Sequence, residues 1–344
     1  MRDPNGVDLD RFPSAMGIIT RLACDRAKQE GAEVDALLRK AGLTHQQIDD
    51  PRSRLAVKAQ IQFLELAARA LKDDSLGFHL AQKFDLRMVG LLYYVLASSD
   101  MIEEALQRAA RYSAIVNEGI TLRYLEGKRV GLSFEYAGVP RHTDCHQIEF
   151  AMVALVRACR QLTNRNLPTS RVSFNHQRKK DIAEFRTFFG SDITFGAAVD
   201  ELAFSSAIKG MPLAGADPYL NDLLVVYCEQ AISARGSKPS SFGLNVENAV
   251  TLLLPHGKAQ AGTVARKLGV SRRTLARRLA SEQLTFTRVV QRLKSDLAER
   301  HLSDESLSIS EIAWLLGYQN VSAFTHAFKR WTGNAPRAAR RLSR

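Results

Sequence analysis

The sequence predicts an α+β N-terminal domain followed by an all-α C-terminal domain, in which two helix-turn-helix units are joined by a helix. Three observations predict this organisation. Residues 233–244 are rich in Gly, Ser and Pro, as linkers are. Before them the hydrophobic spacing changes between a helical and a strand period, and after them one helical motif occurs twice. We therefore predict domains at 1–232 and 245–344.

The N-terminal domain mixes helical and strand patterns. Apolar residues alternate over 120–124 and 130–134 on either side of Glu126-Gly127-Lys128, which indicates a β-hairpin. Two further strands, at 171–174 and 193–195, flank a short helix. The remaining periodic segments have helical spacing and are predicted as helices at 14–30, 57–71, 101–116, 145–162 and 219–232. These elements predict an α+β domain whose sheet is assembled late in the sequence.

The C-terminal domain contains an internal repeat. Residues 264–271 match residues 312–319 at an offset of 48, and the match continues at an offset of 49 after one extra residue in the second turn. Each copy has a short helix, a turn that begins with Gly, and a longer helix with apolar residues four apart, which is typical of a helix-turn-helix. The paired positions are Ala265 and Ala313, Leu268 and Leu316, Gly269 and Gly317, Leu275 and Phe324, and Leu279 and Phe328.

The outward faces of the two longer helices indicate a partner. Arg is the commonest reader of guanine in the major groove, and Ser or Thr can contact several bases. In the first copy the residues opposite the core include Arg273 and Arg277, and in the second they include Ser322 and Thr325. The alternative is an ordinary solvated face. The full set of candidate DNA-binding residues is Ser271, Arg272, Arg273, Ala276, Arg277, Arg278, Asn320, Ser322, Thr325, His326, Lys329 and Arg330.

The charge distribution favours double-stranded DNA as the partner. Residues 245–344 hold 17 Lys and Arg against 7 Asp and Glu, whereas the other 244 residues hold 31 against 29. A nearly neutral body with a basic C-terminal domain is typical of a protein that binds a polyanion through that domain. A helix predicted over 287–301, about 21 Å long, would join the two units and present them to major-groove segments about 34 Å apart.

These residues resemble the AraC/XylS family of bacterial transcription regulators over residues 248–342. The resemblance rests on Ala265-x-x-Leu-Gly-Val-Ser, Ile309-x-x-Ile-Ala-x-x-Leu-Gly-Tyr and Phe324-x-x-Ala-Phe-Lys-Arg-Trp, in that order. The family motif often ends in Pro-x-x-Tyr/Phe-Arg, whereas residues 336–340 have no aromatic residue. We therefore expect the last turn to pack less firmly.

The N-terminal domain resembles the α+β effector domain of one subgroup of that family, which includes ornithine-utilisation and mycobacterial virulence regulators. The segments that carry this resemblance are Gly90-Leu-Leu-Tyr-Tyr, Glu104-Ala-Leu, Arg111-Tyr and Phe189-Gly-Ser-Asp-Ile-Thr-Phe. It implies that the domain senses a small molecule and forms a homodimer, and that the jelly-roll sugar pocket of the founding regulator is absent. We expect an activator that acts with RNA polymerase.

Other features of the sequence argue against competing classes of protein. The four cysteines are scattered, which predicts reduced thiols in a cytoplasmic protein, and no apolar run approaches the roughly 20 residues of a membrane span. His142, Cys145 and His146 have helical spacing but lack an evident fourth ligand, so we predict neither a metal nor a cofactor. No catalytic motif is present, and Arg178-Lys179-Lys180 is interpreted as a solvated loop or helix start.

Two alternatives to a ligand-sensing regulator remain open. In the first alternative, the N-terminal domain serves only to dimerise or to bind another protein. In the second, it is an enzyme fused to a DNA reader. A cluster of buried titratable groups in a cleft of that domain would favour the enzyme.

Overall fold

A computed structural model of the chain describes residues 13–178, 181–234, 242–303 and 307–342. The described residues up to 234, apart from 140–142, form one compact unit, and 140–142 together with the residues from 242 onwards form a second. Residues 235–241 of the predicted linker lie outside the described residues, and helix begins again at Phe242, three residues before the predicted domain start. In this described part, no helix is both long and apolar enough to cross a lipid bilayer.

The helices of the first unit include all those predicted from periodicity. Short helices also occupy segments without a strong periodic signal, since three to eight residues give too few turns for a pattern to emerge. The α-helices are α1 (Ile18–Gln29), α2 (Val34–Ala41), α3 (His45–Asp49), α4 (Val57–Leu71), α5 (Leu76–Lys83), α6 (Leu91–Ala97), α7 (Ile102–Tyr112), α8 (His146–Thr163), α9 (Ile182–Phe189) and α10 (Pro218–Ser233). Three 3-10 turns lie at Leu86–Val89, Ser113–Ile115 and Ser206–Ile208, and a fourth, at Arg141–Thr143, begins in the residues assigned to the second unit.

The described strands of the first unit form two sheets. A short antiparallel pair joins β1 (Ser14–Ala15) to β2 (Leu55–Ala56). The larger sheet has the order β3-β4-β7-β5-β6, in which only β5 and β6 run parallel. Its strands are β3 (Ile120–Leu125), β4 (Arg129–Tyr136), β5 (Arg171–Phe174), β6 (Ile193–Phe195) and β7 (Asp200–Ser205). The hairpin, the two later strands and the helix between them are therefore confirmed.

The central strand of this sheet, β7, was not predicted. It begins with Asp200 and Glu201, two residues that disfavour strands, and only three apolar residues follow. Tertiary contacts compensate for the acidic residues. Asp200 is buried and accepts a hydrogen bond from the backbone amide of Asn175 at 2.8 Å, and Glu201 forms an ion pair with Arg171 at 3.3 Å.

Aromatic packing holds the helices of the first unit against the sheet. The ring of Phe78 on α5 stacks on Phe185 of α9 with centroids 4.1 Å apart, and Phe174 of β5 stacks on Phe195 of β6 at 5.2 Å. Phe78, Phe174 and Phe185 are fully buried. Each such side chain contributes about 1.5–3 kcal/mol of burial free energy, so this cluster fixes the late part of the chain to the helical part.

The second unit is helical throughout its described residues. Its helices are α11 (Phe242–Thr251), α12 (Ala261–Lys267), α13 (Arg272–Ser281), α14 (Phe286–Ser303), α15 (Ile309–Leu315), α16 (Val321–Thr332) and α17 (Pro336–Leu342), with a 3-10 turn at Leu254–His256. One continuous core joins them, and it contains Leu275, Leu279, Leu293, Phe324 and Phe328. The residues paired in the sequence repeat thus occupy equivalent places in one core.

The four cysteines are free thiols in the structure. Burial raises the pKa of Cys24 and Cys159 to about 12 and that of Cys228 to about 11. Because the thiolate is the reactive form, burial and a raised pKa disfavour reaction of these three side chains at neutral pH.

Candidate nucleic-acid interface

The first helix-turn-helix consists of α12 and α13. Helix α12 ends at Lys267, and Gly269 follows in the turn with a φ of +65°, a left-handed conformation that favours glycine. Helix α13 then begins at the Ser271 N-cap, whose hydroxyl accepts a hydrogen bond from the Thr274 amide at 3.1 Å. Leu275 and Leu279 are buried one turn apart, so the opposite side of α13 faces solvent.

The solvent face of α13 carries arginines without a protein partner. Ala276, Arg273 and Arg277 are exposed, and within the described chain neither arginine makes a hydrogen bond or an ion pair. Arg272 and Arg278 are also exposed, and their guanidinium groups lie against other residues of the domain. The guanidinium of Arg272 lies beside Gly262, and that of Arg278 lies 5.3 Å from the centroid of the Phe242 ring. Arg273 and Arg277 are therefore the side chains most available to a ligand.

The second helix-turn-helix consists of α15 and α16. Ser308 and Glu311 form a reciprocal capping box at the start of α15. Gly317, with φ +71°, ends this helix, and a Cβ at Gly317 would lie only 2.5 Å from the carbonyl oxygen of Leu254. Asn320 caps α16 by accepting a hydrogen bond from the Ala323 amide at 2.8 Å. Of the two caps considered from the sequence, Asn320 serves and Ser322 does not.

The solvent face of α16 is less basic than that of α13. Ser322, His326, Lys329 and Arg330 are exposed, whereas Thr325 is half-buried. Lys329 and Arg330 lie in the last turn of α16, three or more residues beyond the small polar side chains. Cations at that end are favoured by the helix dipole, so they need no acidic neighbour to be stable there.

The joining helix α14 is longer than predicted. It spans 18 residues rather than the 15 predicted from spacing, which corresponds to about 27 Å. Its buried residues Leu293 and Leu297 lie in the core shared by both helix-turn-helix units. The ammonium group of Lys294 on α14 lies 4.1 Å from the centroid of the Tyr318 ring, which is a cation–π contact. Tyr318 belongs to the turn between α15 and α16, so this contact joins α14 to the second helix-turn-helix.

Arg340 is the arginine of the family motif, and Ala339 stands where the motif has an aromatic residue. The guanidinium of Arg340 donates to the carbonyl oxygen of Leu302 at 3.2 Å and to that of Leu307 at 2.8 Å. The looser packing of the last turn expected from the missing aromatic residue stays a prediction. An arginine with several donors can hold two carbonyl groups at once, which periodicity alone does not reveal.

A buried polar cluster in the first unit corrects another expectation. Arg178 is not solvated; its side chain is 7% exposed and lies 2.6 Å from Glu149, which is fully buried. Burial alone would lower the pKa of Arg178, but the Glu149 carboxylate outweighs it and the pKa is raised. His176 also contacts Glu149, at 2.8 Å. Lys179 and Lys180 lie outside the described residues. His176 and Arg178 pair with the buried carboxylate of Glu149, as in a structural ion pair, so the burial of these groups does not by itself favour the enzyme alternative.

Two of the three residues considered as metal ligands lie together in the first unit. His142 belongs to the second unit, whereas Cys145 and His146 lie in the first with Glu65, and the ligand atoms of these last three are within 4.8 Å of one another. Glu65 also accepts two hydrogen bonds from Arg69, at 2.9 and 3.2 Å. Both of these bonds go to Oε1 of Glu65, and the absence of a bound metal stays a prediction.

The first unit also contains an apolar cavity of about 180 Å³. Its wall combines α1, α6, α7 and α8 with the hairpin of β3 and β4, and it includes Leu92, Leu96, Phe134 and Phe150. Among the described residues that line it, none carries a charged side chain. The sequence did not indicate this cavity, because its wall comes from segments far apart in the chain.

Both halves of the chain are similar to known protein families. Residues 31–213 match a family described as the arabinose-binding domain of the AraC transcription regulator, N-terminal, and residues 264–342 match a helix-turn-helix domain family. The chain is 26% identical over 325 residues to the transcriptional regulator VirS of Mycobacterium tuberculosis, covering 92% of this chain and 93% of VirS. It is 25% identical over 323 residues to the ornithine utilization regulator of Pseudomonas aeruginosa, covering 91% and 92%.

A solved structure with a similar chain is the transcriptional regulator CdpR from Pseudomonas aeruginosa, at 22% identity and a TM-score of 0.42, covering 90% of this chain and 96% of that one. The family model of the N-terminal half covers more than half of the chain, and the helix-turn-helix match covers the repeat on which the sequence resemblance rests. The chain is therefore a transcription regulator of the AraC family, with a helix-turn-helix DNA-binding domain at its C-terminal end.

Proposed function

We propose that the chain is an effector-responsive activator that reads a specific DNA sequence mainly through α13. The observation that supports this most directly is the pair of exposed arginines, Arg273 and Arg277, which lie one turn apart without protein partners. An arginine can donate two hydrogen bonds to one guanine, so two of them on one face can specify two base pairs. Ser271, Arg272, Ala276 and Arg278 border the same contact.

Helix α16 adds affinity in this proposal. Lys329 and Arg330 are suited to phosphate contacts, while Asn320, Ser322, Thr325 and His326 offer hydrogen bonds that discriminate less between bases. Phosphate contacts fix the position of a protein on DNA and contribute little to sequence preference. The first helix-turn-helix would therefore set most of the specificity.

Residues 1–232 provide dimerisation in this proposal. Helix α10 exposes an apolar face made of Tyr219, Leu220, Leu223, Val226 and Tyr227, with exposures between 42% and 80%. Large apolar side chains on one helix face favour an interface, and α10 is the last described helix before residues 235–241. A second copy of the chain is the partner we propose, since a two-fold pair of such helices would cover both faces.

The remaining steps of the proposal concern regulation. An effector bound in the first unit would shift its conformation, change how two DNA-binding domains are presented, and recruit RNA polymerase in the cytoplasm. A promoter reporter with the bound sequence should gain transcription when the chain and its effector are present. A fall in transcription would reverse the proposed sign of regulation and leave DNA binding intact.

Salt dependence tests the DNA interaction. The domain from residue 245 has a net charge of +10, and each phosphate contact should lower log K by about 0.9 per decade of salt. With four contacts, we expect affinity to fall by roughly two orders of magnitude between 50 and 200 mM salt. A flat response in a binding titration on duplex DNA would contradict the proposal.

Sedimentation analysis tests the dimer. Val226→Glu combined with Tyr227→Glu should place two charges in the proposed interface and convert the dimer to a monomer. Asp222→Asn is a matched control on the same helix, and it should leave the dimer unchanged. A wild-type chain that is monomeric at tens of micromolar would contradict the proposed homodimer.

A further inference from the structure

The cavity of the first unit favours one chemical class of ligand. Most of its wall is aliphatic or aromatic, and Leu92, Leu96 and Phe134 are typical members. A buried carboxylate or ammonium without an opposite charge is strongly disfavoured, so the absence of charged residues among the described wall residues argues against a ligand whose charged group lies inside the cavity. A sugar would likewise lose most of its hydrogen bonds to water here. The cavity is suited to a neutral and mostly apolar molecule.

One polar feature of the wall is unsatisfied. Gln147 of α8 lines the cavity and is 3% exposed, and its Nε2 is a buried atom without a hydrogen-bond partner. Its Oε1 accepts from Gln60 Nε2 at 2.6 Å and from Asn117 Nδ2 at 3.0 Å. Two neighbours therefore satisfy one end of this amide and none satisfies the other.

The orientation of the Gln147 amide follows from a backbone group. The Gly119 amide can only donate, and it donates to Asn117 Oδ1 at 2.8 Å. Asn117 must therefore present its Nδ2 to Gln147, which makes the facing atom of Gln147 the acceptor oxygen. The opposite atom is then the donor Nε2. Gln147, a residue of the cavity wall, therefore carries a buried N–H group with no acceptor.

We propose that this cavity binds a neutral, largely apolar molecule through one carbonyl oxygen, which accepts a hydrogen bond from Gln147 Nε2. This inference rests on the proposed function, because it names the class of effector that the first unit senses. An apolar cavity of about 150 Å³ accommodates benzene. The cavity of about 180 Å³ here therefore has room for an aromatic ring and a short substituent.

Helix α6 connects the cavity to the proposed dimer face. Leu92 and Leu96 of α6 line the cavity. On the same helix, the carbonyl oxygen of Val95 accepts a hydrogen bond at 3.0 Å from Asn221 of α10, and Ser98, which follows α6, accepts a second from Asn221 at 2.9 Å. A ligand against α6 would therefore act on the helix that holds α10 in place.

Matched probes on the full chain test the ligand class. Acetophenone, ethylbenzene and benzoate have similar sizes but carry a neutral acceptor, no acceptor and a charged acceptor, respectively. We expect calorimetric titration to show binding about tenfold tighter for acetophenone than for ethylbenzene, because only the ketone satisfies the buried donor. Benzoate and L-arabinose should not bind. Equal affinity for acetophenone and ethylbenzene, or tighter binding of benzoate, would overturn the proposal.

Variants assign the effect to Gln147. Gln147→Met keeps the length of the side chain and removes the donor, so the ratio between acetophenone and ethylbenzene should fall to one or below. Gln62→Met is the control, since Gln62 lies exposed on α4 and does not line the cavity. If Gln147→Met does not fold, Ala154→Leu fills the cavity instead and should abolish binding of both probes. An unchanged ratio in Gln147→Met, or unchanged binding in Ala154→Leu, would refute the site.

The same preparations separate this inference from the proposed function. Binding of the wild-type chain to duplex DNA is measured in the same preparations as binding of acetophenone. If the wild-type chain does not bind DNA, the proposed function itself is contradicted. Intact DNA binding without any response to acetophenone would refute the ligand class alone. A dimer dissociation constant that changes with acetophenone supports the route through α6, and an unchanged constant refutes that route.

Discussion

The two helix-turn-helix units have the same local design but differ in how tightly their turns are packed and in what they expose. The turn at Gly269 faces open space, whereas the turn at Gly317 packs on the carbonyl group of Leu254. The first unit exposes two arginines without protein partners, and the second exposes Ser322 and His326 beside a half-buried Thr325. The repeat thus divides two roles: the second copy is more firmly built into the core, and the first is freer to contact a ligand.

This division has a physical reason. A residue that packs closely against its neighbours cannot also change without loss of stability, and a residue that reads DNA must remain free of protein partners. The second helix-turn-helix follows α14 and contributes Phe324 and Phe328, both fully buried, to the shared core. The first helix-turn-helix contributes Leu275 and Leu279 to the same core. The larger aromatic side chains make the second unit the stronger contributor to folding.

The largest expected effect compares the two turns. Gly317→Ala should destabilise the chain by about 2–4 kcal/mol, because it combines a left-handed backbone with overpacking against the Leu254 carbonyl oxygen. Gly269→Ala is the matched control with a similar φ and no neighbour within 4 Å. It should cost only about 1 kcal/mol from the backbone conformation.

Chemical denaturation of both variants measures this difference. The unfolding transition assigned to the C-terminal domain should shift to lower denaturant concentration more in Gly317→Ala than in Gly269→Ala. The slope of the transition should stay unchanged. Equal shifts would show that the Leu254 contact relaxes at no cost, and the proposed difference in packing between the two turns would be lost.

The next effect concerns recognition. Replacing Arg273 or Arg277 by Ala should weaken binding to the specific site by about 1–3 kcal/mol and relax base preference there. The matched changes Ser322→Ala and Thr325→Ala in the second unit should cost less discrimination. Competition titrations with specific and random duplexes separate the two contributions. Equal losses on both duplexes would place the arginines on phosphate, and larger losses of discrimination from Ser322 and Thr325 would reverse the ranking of the units.

The sequence was sufficient to predict the helices of the C-terminal domain, because the signals that define them are local. Gly at a turn, a capping residue after it and buried apolar residues four apart define each helix pair within about 20 residues, and the repeat supplies them twice. What the sequence did not show depends on distant partners. Arg340 anchors two carbonyl groups some 33 and 38 residues away, and Arg278 packs on Phe242.

The first unit shows the same limit more strongly. The hairpin was predicted because its two strands alternate in sequence, but the central strand β7 was not, since burial of Asp200 depends on Asn175. The cavity is a further example: its unsatisfied donor arises from a chain of contacts through Gly119, Asn117 and Gln147. No single segment carries enough information to predict such a site.

The smallest expected effect tests whether the second helix-turn-helix contacts DNA through a polar side chain of α16. His326 is exposed on α16 and makes no hydrogen bond within the described chain. A ring nitrogen of histidine can donate a hydrogen bond to a phosphate oxygen or to a base acceptor. We expect His326→Ala to weaken binding to duplex DNA a few-fold in a binding titration, because one such hydrogen bond contributes about 0.5–1.5 kcal/mol. Unchanged affinity in His326→Ala would show that His326 points away from DNA, and the contribution of the second helix-turn-helix would then rest on Lys329 and Arg330.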